Sequence, residues 1–185
     1  MRINKISFLS FLLMLFNLSL ALPLLLINIF KKKESIFLIS LFLGILGFYF
    51  IPVNDSYDIA RYYRTFDNKL YRQIFFENQG GIIVENLVNV LVYLKLPPNL
   101  LPFISAFITY YFLLKTFQRY ISKNSISGWN YLILFLISYI SIPIIGYTGI
   151  RAWPATAIFI FGVLIIKNKY LRFLLLIIST MIHTS

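Results

Sequence analysis

The chain has 185 residues, 59% of them hydrophobic and only 12% charged, with a net charge of +11 and a mean hydropathy of +0.82. Soluble domains carry roughly 25% charged residues, so the composition speaks against a soluble fold and predicts an integral membrane protein. Nucleic acid is not the expected partner of the positive charge, because Lys and Arg fall in short clusters between apolar runs, as in loops held at an anionic membrane face.

The chain contains no cysteine, which excludes disulfides and thiolate metal sites. Its one histidine, His183, has no companion ligands at metal spacing. No metal or other cofactor is expected.

A membrane-crossing helix needs about 20 mostly apolar residues. Ile6–Phe30 has that length. It is too long for the apolar region of a signal peptide, about 7–15 residues, and it ends in Lys31-Lys32-Lys33, so it reads as a retained helix. Ser35–Ile51 is a second, shorter span. A polar island follows, from Asn54 to Asn78, holding four of the six acidic residues of the chain. Within it Asp55, Asp58, Arg61, Arg64 and Asp67 recur at steps of three. On a helix such neighbours touch, so Asp58 is expected to pair with Arg61 and Arg64 with Asp67. With the phenols Tyr57, Tyr62 and Tyr63 between them, these groups suit sugar hydroxyls and phosphates. The same spacing also fits a solvated helix laced with surface ion pairs, each worth about 0–1 kcal/mol. Asp55 and Asp58, directly after the second span, are the stronger candidates for a chemical role. Glu77 ahead of Gly80-Gly81 is an acid on a turn.

Ile82–Tyr93 is too short to cross and is interrupted by Glu85, Asn86 and Asn89. Its period predicts an amphipathic helix on the membrane face, with Ile83, Leu87, Val90, Leu91 and Leu94 on the apolar side. Pro97-Pro98 then breaks the chain. Leu100–Phe117, Trp129–Ile145 and Trp153–Ile166 are further spans. Arg151 stands at a helix start with Pro154 in the first turn, and Gly146 and Gly149 allow a tight turn before it. A cation there opposes the helix dipole, so Arg151 beside free backbone N–H groups suggests a phosphate or pyrophosphate site. A snorkelling interfacial arginine is the alternative. Tyr170–Ile182 is short for a crossing and stops at His183-Thr184-Ser185, so the chain is expected to be incomplete at its C-terminus.

The expected architecture is therefore all-α: one polytopic domain over residues 1–185, with an external polar loop over 54–81, about six spans and one amphipathic outer-face helix. If Ile82–Tyr93 does not cross, the clusters Lys31–Lys33, Lys115/Arg119/Lys123 and Lys167/Lys169/Arg172 share one side. Basic clusters mark the cytoplasm. The island, Arg151 and His183 then face outward.

Taken in order, these motifs resemble the EpsG-type exopolysaccharide polymerases, relatives in role of the Wzy O-antigen polymerases. The resemblance rests on Asp55-Ser56-Tyr57 with Tyr62, Tyr63 and Phe66, on Glu77-Asn78-Gln79-Gly80, on Gly149-Ile150-Arg151 with Ala155 and Ala157, and on His183-Thr184-Ser185. Thr148, Ala152 and Gln79 depart from the residues usual at those places. The resemblance implies a bacterial inner-membrane protein that joins oligosaccharide repeat units carried on polyprenyl pyrophosphate. Membrane lipids and other polysaccharide-assembly proteins are its implied partners. It further implies Asp55, Asp58 and His183 as acid–base candidates, and Tyr57, Arg61, Arg64, Glu77 and Arg151 as substrate-binding residues. A glycan flippase, a membrane O-acyltransferase fragment and an inactive truncated membrane protein are the competing expectations.

Overall fold

The computed structural model describes residues 36–49, 58–67, 82–123 and 149–183, together with positions 8–9, 11–13, 21, 23–25, 133, 136 and 137. The protein is all-helical, with no strand among the described residues. The described helices are α1 (Ile36–Phe48), α2 (Asp58–Asp67), α3 (Ile82–Tyr93), α4 (Leu100–Lys123), α5 (Ala152–Ile165) and α6 (Lys169–His183). The expected spans Ile6–Phe30 and Trp129–Ile145 fall largely outside the described residues.

Helix α4 is the axis of the assembly. It runs for 24 residues, about 36 Å at 1.5 Å per residue, and continues past the expected end at Phe117. Its stretch Leu100–Arg119 is, among the described residues, the one helix long and apolar enough to cross a membrane. The apolar helices α1, α3 and α5 are shorter. Thr109 and Thr116 lie on its buried side and donate their hydroxyls to the carbonyls of Ser105 (2.7 Å) and Phe112 (2.8 Å) one turn back, so neither is buried unsatisfied. Phe103, Phe107 and Tyr111 recur at i, i+4 and stack at centroid separations of 6.3 and 6.1 Å.

Helix α1 packs antiparallel along α4, and small residues set how close it comes. A Cβ placed on Gly47 would lie 2.8 Å from the Pro102 carbonyl oxygen and 3.1 Å from the Ala106 Cβ; one on Gly44 would lie 3.1 Å from the Phe107 Cβ. Glycine at i and i+3 thus lets two backbones approach as they do in small-residue helix interfaces. Around this contact Phe42, Leu43, Tyr110 and Leu114 form a core, with Ala21 and Leu25 packed into it.

Helix α5 runs parallel to α4: Ser105 donates to the Ile150 carbonyl at 3.1 Å near the start of both helices, and Phe112 meets Phe161 further along. Helix α6 returns antiparallel to α5, with Gly162 close to Leu175 and the buried Ser179 hydroxyl donating to the Ala155 carbonyl at 2.9 Å. Asn168 Oδ1 accepts from the N–H groups of Tyr170 and Leu171 and caps α6. Arg172 donates through Nε and Nη2 to the Ile166 carbonyl, which α5 leaves open at its end.

Helix α3 has the expected bounds. Val84, Val88, Leu91 and Val92 are buried, whereas Val90 and Leu94, assigned above to the apolar face, are 49% and 55% exposed. Helices α2 and α6 pack on α3, and Glu85 faces Arg61 of α2. Helix α3 ends in a Schellman motif, with bonds from Leu96 N–H to the Leu91 carbonyl and from Lys95 N–H to the Val92 carbonyl. Lys95 occupies its left-handed position, at φ 55°, where glycine carries no Cβ penalty.

Gly47→Ala forces the α1 and α4 backbones apart, and the expected loss is about 1–3 kcal/mol, read as a lower thermal midpoint of the detergent-solubilised protein. Lys95→Gly should act in the opposite direction, by about 1 kcal/mol, in the same measurement.

Candidate functional site

A second hydrophobic cluster gathers segments that are far apart in sequence. Ile59 and Tyr62 of α2, Val84 and Val88 of α3, Leu101 of α4, Ile150 and Ala155 at the start of α5, and Ile182 at the end of α6 pack together. Arg61, Arg151 and His183 are each the chain neighbour of one of these buried residues. They therefore share one end of the assembly: the end where α1 stops, α4 and α5 begin and α6 stops. Two buried hydroxyls fasten this arrangement, Ser105 to the residue before Arg151 and Ser179 to the first turns of α5.

Helix α2 is polar, and the island helix expected from its spacing is present over Asp58–Asp67. Its buried stripe is Ile59, Ala60 and Tyr62; Arg61 and Arg64 are exposed. Arg64 sits in the last turn, where a cation favours the helix dipole. Arg61 carries its guanidinium 5.0 Å from the Tyr62 ring centroid, donates to Tyr62 Oη at 3.2 Å, and lies 3.6 Å from Glu85 Oε1. The side chain of Arg61 is 56% exposed and that of Glu85 18%, so the pair contributes at most about 1 kcal/mol. Its value is positional, since it aims a carboxylate and a guanidinium at the same small region. The side chains of Asp58 and Asp67, and hence the pairs expected within α2, lie outside the described residues, as do Asp55, Tyr57 and Glu77.

A hydrogen-bonded relay anchors α2 to the rest. Tyr63 Oη donates to Asn99 Oδ1 at 3.1 Å, and Asn99 Nδ2 donates to the Phe48 carbonyl at 2.9 Å. One side chain thus joins α2, the start of α4 and the end of α1. Burial disfavours the phenolate and pushes the Tyr63 pKa up to about 12, so Tyr63 stays protonated as the donor throughout the physiological range.

Arg151 takes the N-cap position of α5, half-buried, with no capping bond from its side chain. The amide of Trp153 is used by the Gly149 carbonyl at 3.1 Å, and Pro154 supplies no N–H. The amides of Trp153 and Pro154 therefore offer no free donor at this helix start. Gly149 lies so close to the Trp153 indole that a Cβ would overlap the ring. His183 closes α6 and is exposed. No group of metal-ligating side chains occurs among the described residues.

Glu85 and Asn99 were not among the candidates drawn from sequence. A carboxylate inside an apolar helix is the kind of signal that marks Glu85. Asn99 stands directly before α4; its tertiary bridge has no local signature. Comparison with protein-family models, curated proteins and solved structures finds no match to this chain.

The fold holds Tyr63 in its neutral form, so this contribution to stability is complete below the unfolded pKa near 10 and is lost as pH rises through about 12. An alkaline phenolate titration of the native protein minus that of Tyr63→Phe should isolate one tyrosine ionising near pH 12. A midpoint near 10 would mean the phenol is solvated and the relay absent.

Proposed function

We propose that the chain is a multi-pass protein of the bacterial inner membrane, with about six spanning helices, that takes part in polymerising lipid-linked oligosaccharide repeat units. The span at Leu100–Arg119 and the large exposed apolar side chains of α5 and α6 support the membrane reading. So does the separation of charge between the two ends. Lys115, Arg119 and Lys123 lie toward one end of α4, and Lys167, Lys169 and Arg172 lie at the α5–α6 turn. The island helix, Arg151 and His183 belong to the opposite end, which on this reading faces outward.

The observation that carries the catalytic reading is the gathering of Arg61, Glu85, Arg151 and His183 around one hydrophobic cluster. These are the residue types a glycosyl transfer from a pyrophosphate donor requires. The acceptor hydroxyl oxygen forms the new bond to the anomeric carbon while the bond from that carbon to the pyrophosphate oxygen breaks, and the electron pair leaves with the pyrophosphate. Arg151, with Arg61 or Arg64, neutralises the charge that develops on the leaving group. Asp55 or Asp58 takes the acceptor proton or steadies the oxocarbenium-like sugar, with His183 as a second base. Tyr57 and Glu77 are binding residues on this reading. No nucleotide sugar or metal is needed.

The test is complementation of a polymerase-deficient strain, scoring polymer against single repeat units. Arg151→Ala should lower polymer yield by roughly 10²-fold, and Arg151→Lys should restore it only in part, because the bidentate phosphate contact is lost while the charge is kept. Normal rate and chain length in Arg151→Ala would remove Arg151 from the mechanism; failure of the unaltered chain to make polymer would remove the activity.

A further inference from the structure

The basic end of the α5–α6 hairpin has a construction that the catalytic reading does not use. Its turn is held by its own side chains: Arg172 is fixed on the Ile166 carbonyl through two bonds of 3.0 and 2.7 Å, and Asn168 caps α6. The Lys169 ammonium sits 5.1 Å from the Tyr170 ring centroid. Lys167, Lys169 and Arg172 are all exposed. They cluster at the N-terminus of α6, which adds the positive end of a helix dipole. The described acidic residues Asp58, Asp67 and Glu85 lie on α2 and α3, at the other end of the molecule.

An exposed apolar band begins directly beside these cations. Leu164 is 63% exposed, Tyr170 74%, Phe173 65% and Leu174 51%, and Phe173 and Leu174 fall within one or two turns of Lys169 along α6. A fixed cluster of cations bordering an apolar strip matches one class of ligand, which carries a phosphodiester joined to hydrocarbon chains. Tyr170, an aromatic ring with a polar tip, occupies the boundary between the two, the place such rings take at membrane interfaces. A soluble phosphate would satisfy the cations but leave the apolar band uncovered.

We propose that the α5–α6 turn is a binding site for the headgroup of an anionic phospholipid of the surrounding leaflet, with Lys167, Lys169 and Arg172 around the phosphodiester and the Phe173–Leu174 face against the acyl chains. This inference rests on the membrane reading above and not on the polymerase reading. It makes the turn a lipid-selective anchor for the hairpin that carries Arg151 and His183 at its far end.

The full chain, solubilised in a zwitterionic detergent, is titrated with phosphatidylglycerol or phosphatidylcholine while its thermal midpoint is followed. Phosphatidylglycerol should raise the midpoint, phosphatidylcholine should not, and the effect should weaken with added salt. Lys167→Gln combined with Lys169→Gln should require about 25-fold more phosphatidylglycerol, at roughly fivefold per cation. Lys95→Asn, which removes a cation at the opposite end, should respond like the unaltered chain. The proposal is overturned if phosphatidylcholine stabilises equally, if the double variant responds like the unaltered chain, or if Lys95→Asn weakens the response as much. It is also overturned if soluble glycerophosphoglycerol gives the full shift without acyl chains. Flotation with phosphatidylcholine vesicles tests the membrane reading separately: a chain that stays unbound there fails that reading, whatever its headgroup preference.

Discussion

Helix α4 must present an apolar surface along Leu100–Leu114 and still leave no buried polar group of its own unsatisfied, and the rest of the molecule is arranged by how it does so. On one side, Gly44 and Gly47 remove the side chains that would hold α1 away, and the helices meet almost backbone to backbone. On another side, the Ser105 hydroxyl reaches the Ile150 carbonyl, which determines where α5 starts relative to α4. At its tip, Asn99 joins α2 to the last turn of α1. In an apolar interior each of these bonds is favoured because the alternative is an unsatisfied group. A few polar contacts can therefore set the relative placement of long apolar helices that would otherwise slide against each other.

The same arrangement sorts charge. Because α1 and α4 are antiparallel while α4 and α5 are parallel, the island helix and Arg151 come to one end, and the cations of the α5–α6 turn come to the other. At the first end, Arg61 meets Glu85. At the second end, the cations of the α5–α6 turn are held on a rigid frame next to exposed hydrocarbon. One proposal concerns the end where Arg61 meets Glu85, and the other the end that carries the exposed cations of the α5–α6 turn.

Helix α2 differs from its neighbours in how it is held. Arg61 and Arg64 stay near solvent, and it is secured by a narrow stripe, Ile59 and Tyr62, by the Arg61–Glu85 pair and by the Tyr63–Asn99 bond. The exposed pair adds little energy, and the partly buried phenol adds about 1 kcal/mol. An element held by few buried contacts is the kind that opens first.

Much of this was legible in the sequence, for physical reasons. Helix is the only conformation that lets runs such as Leu100–Phe117 satisfy their backbone while staying apolar, and the steps of three from Asp58 to Asp67 can form a charged surface only on a helix. The start of α5 at Arg151 and the bounds of α3 follow from proline, glycine and period. The buried face of α3 did not follow: its period admits more than one apolar stripe, and contact with α2 and α6 buried Val84 and Val88 while leaving Val90 and Leu94 outside. Nor did the Arg61–Glu85 pair, because Glu85 is near Arg61 only in space. The dual use of Asn99 depends on α1 and α2 arriving from opposite directions. Sequence by itself determined the helices, their breaks and the sign of charge at each break, since these depend on neighbours within one or two turns. Only the tertiary structure decided which of those charges and hydroxyls meet, since that depends on how closely Gly47 lets α1 approach α4 and where Ser105 seats α5.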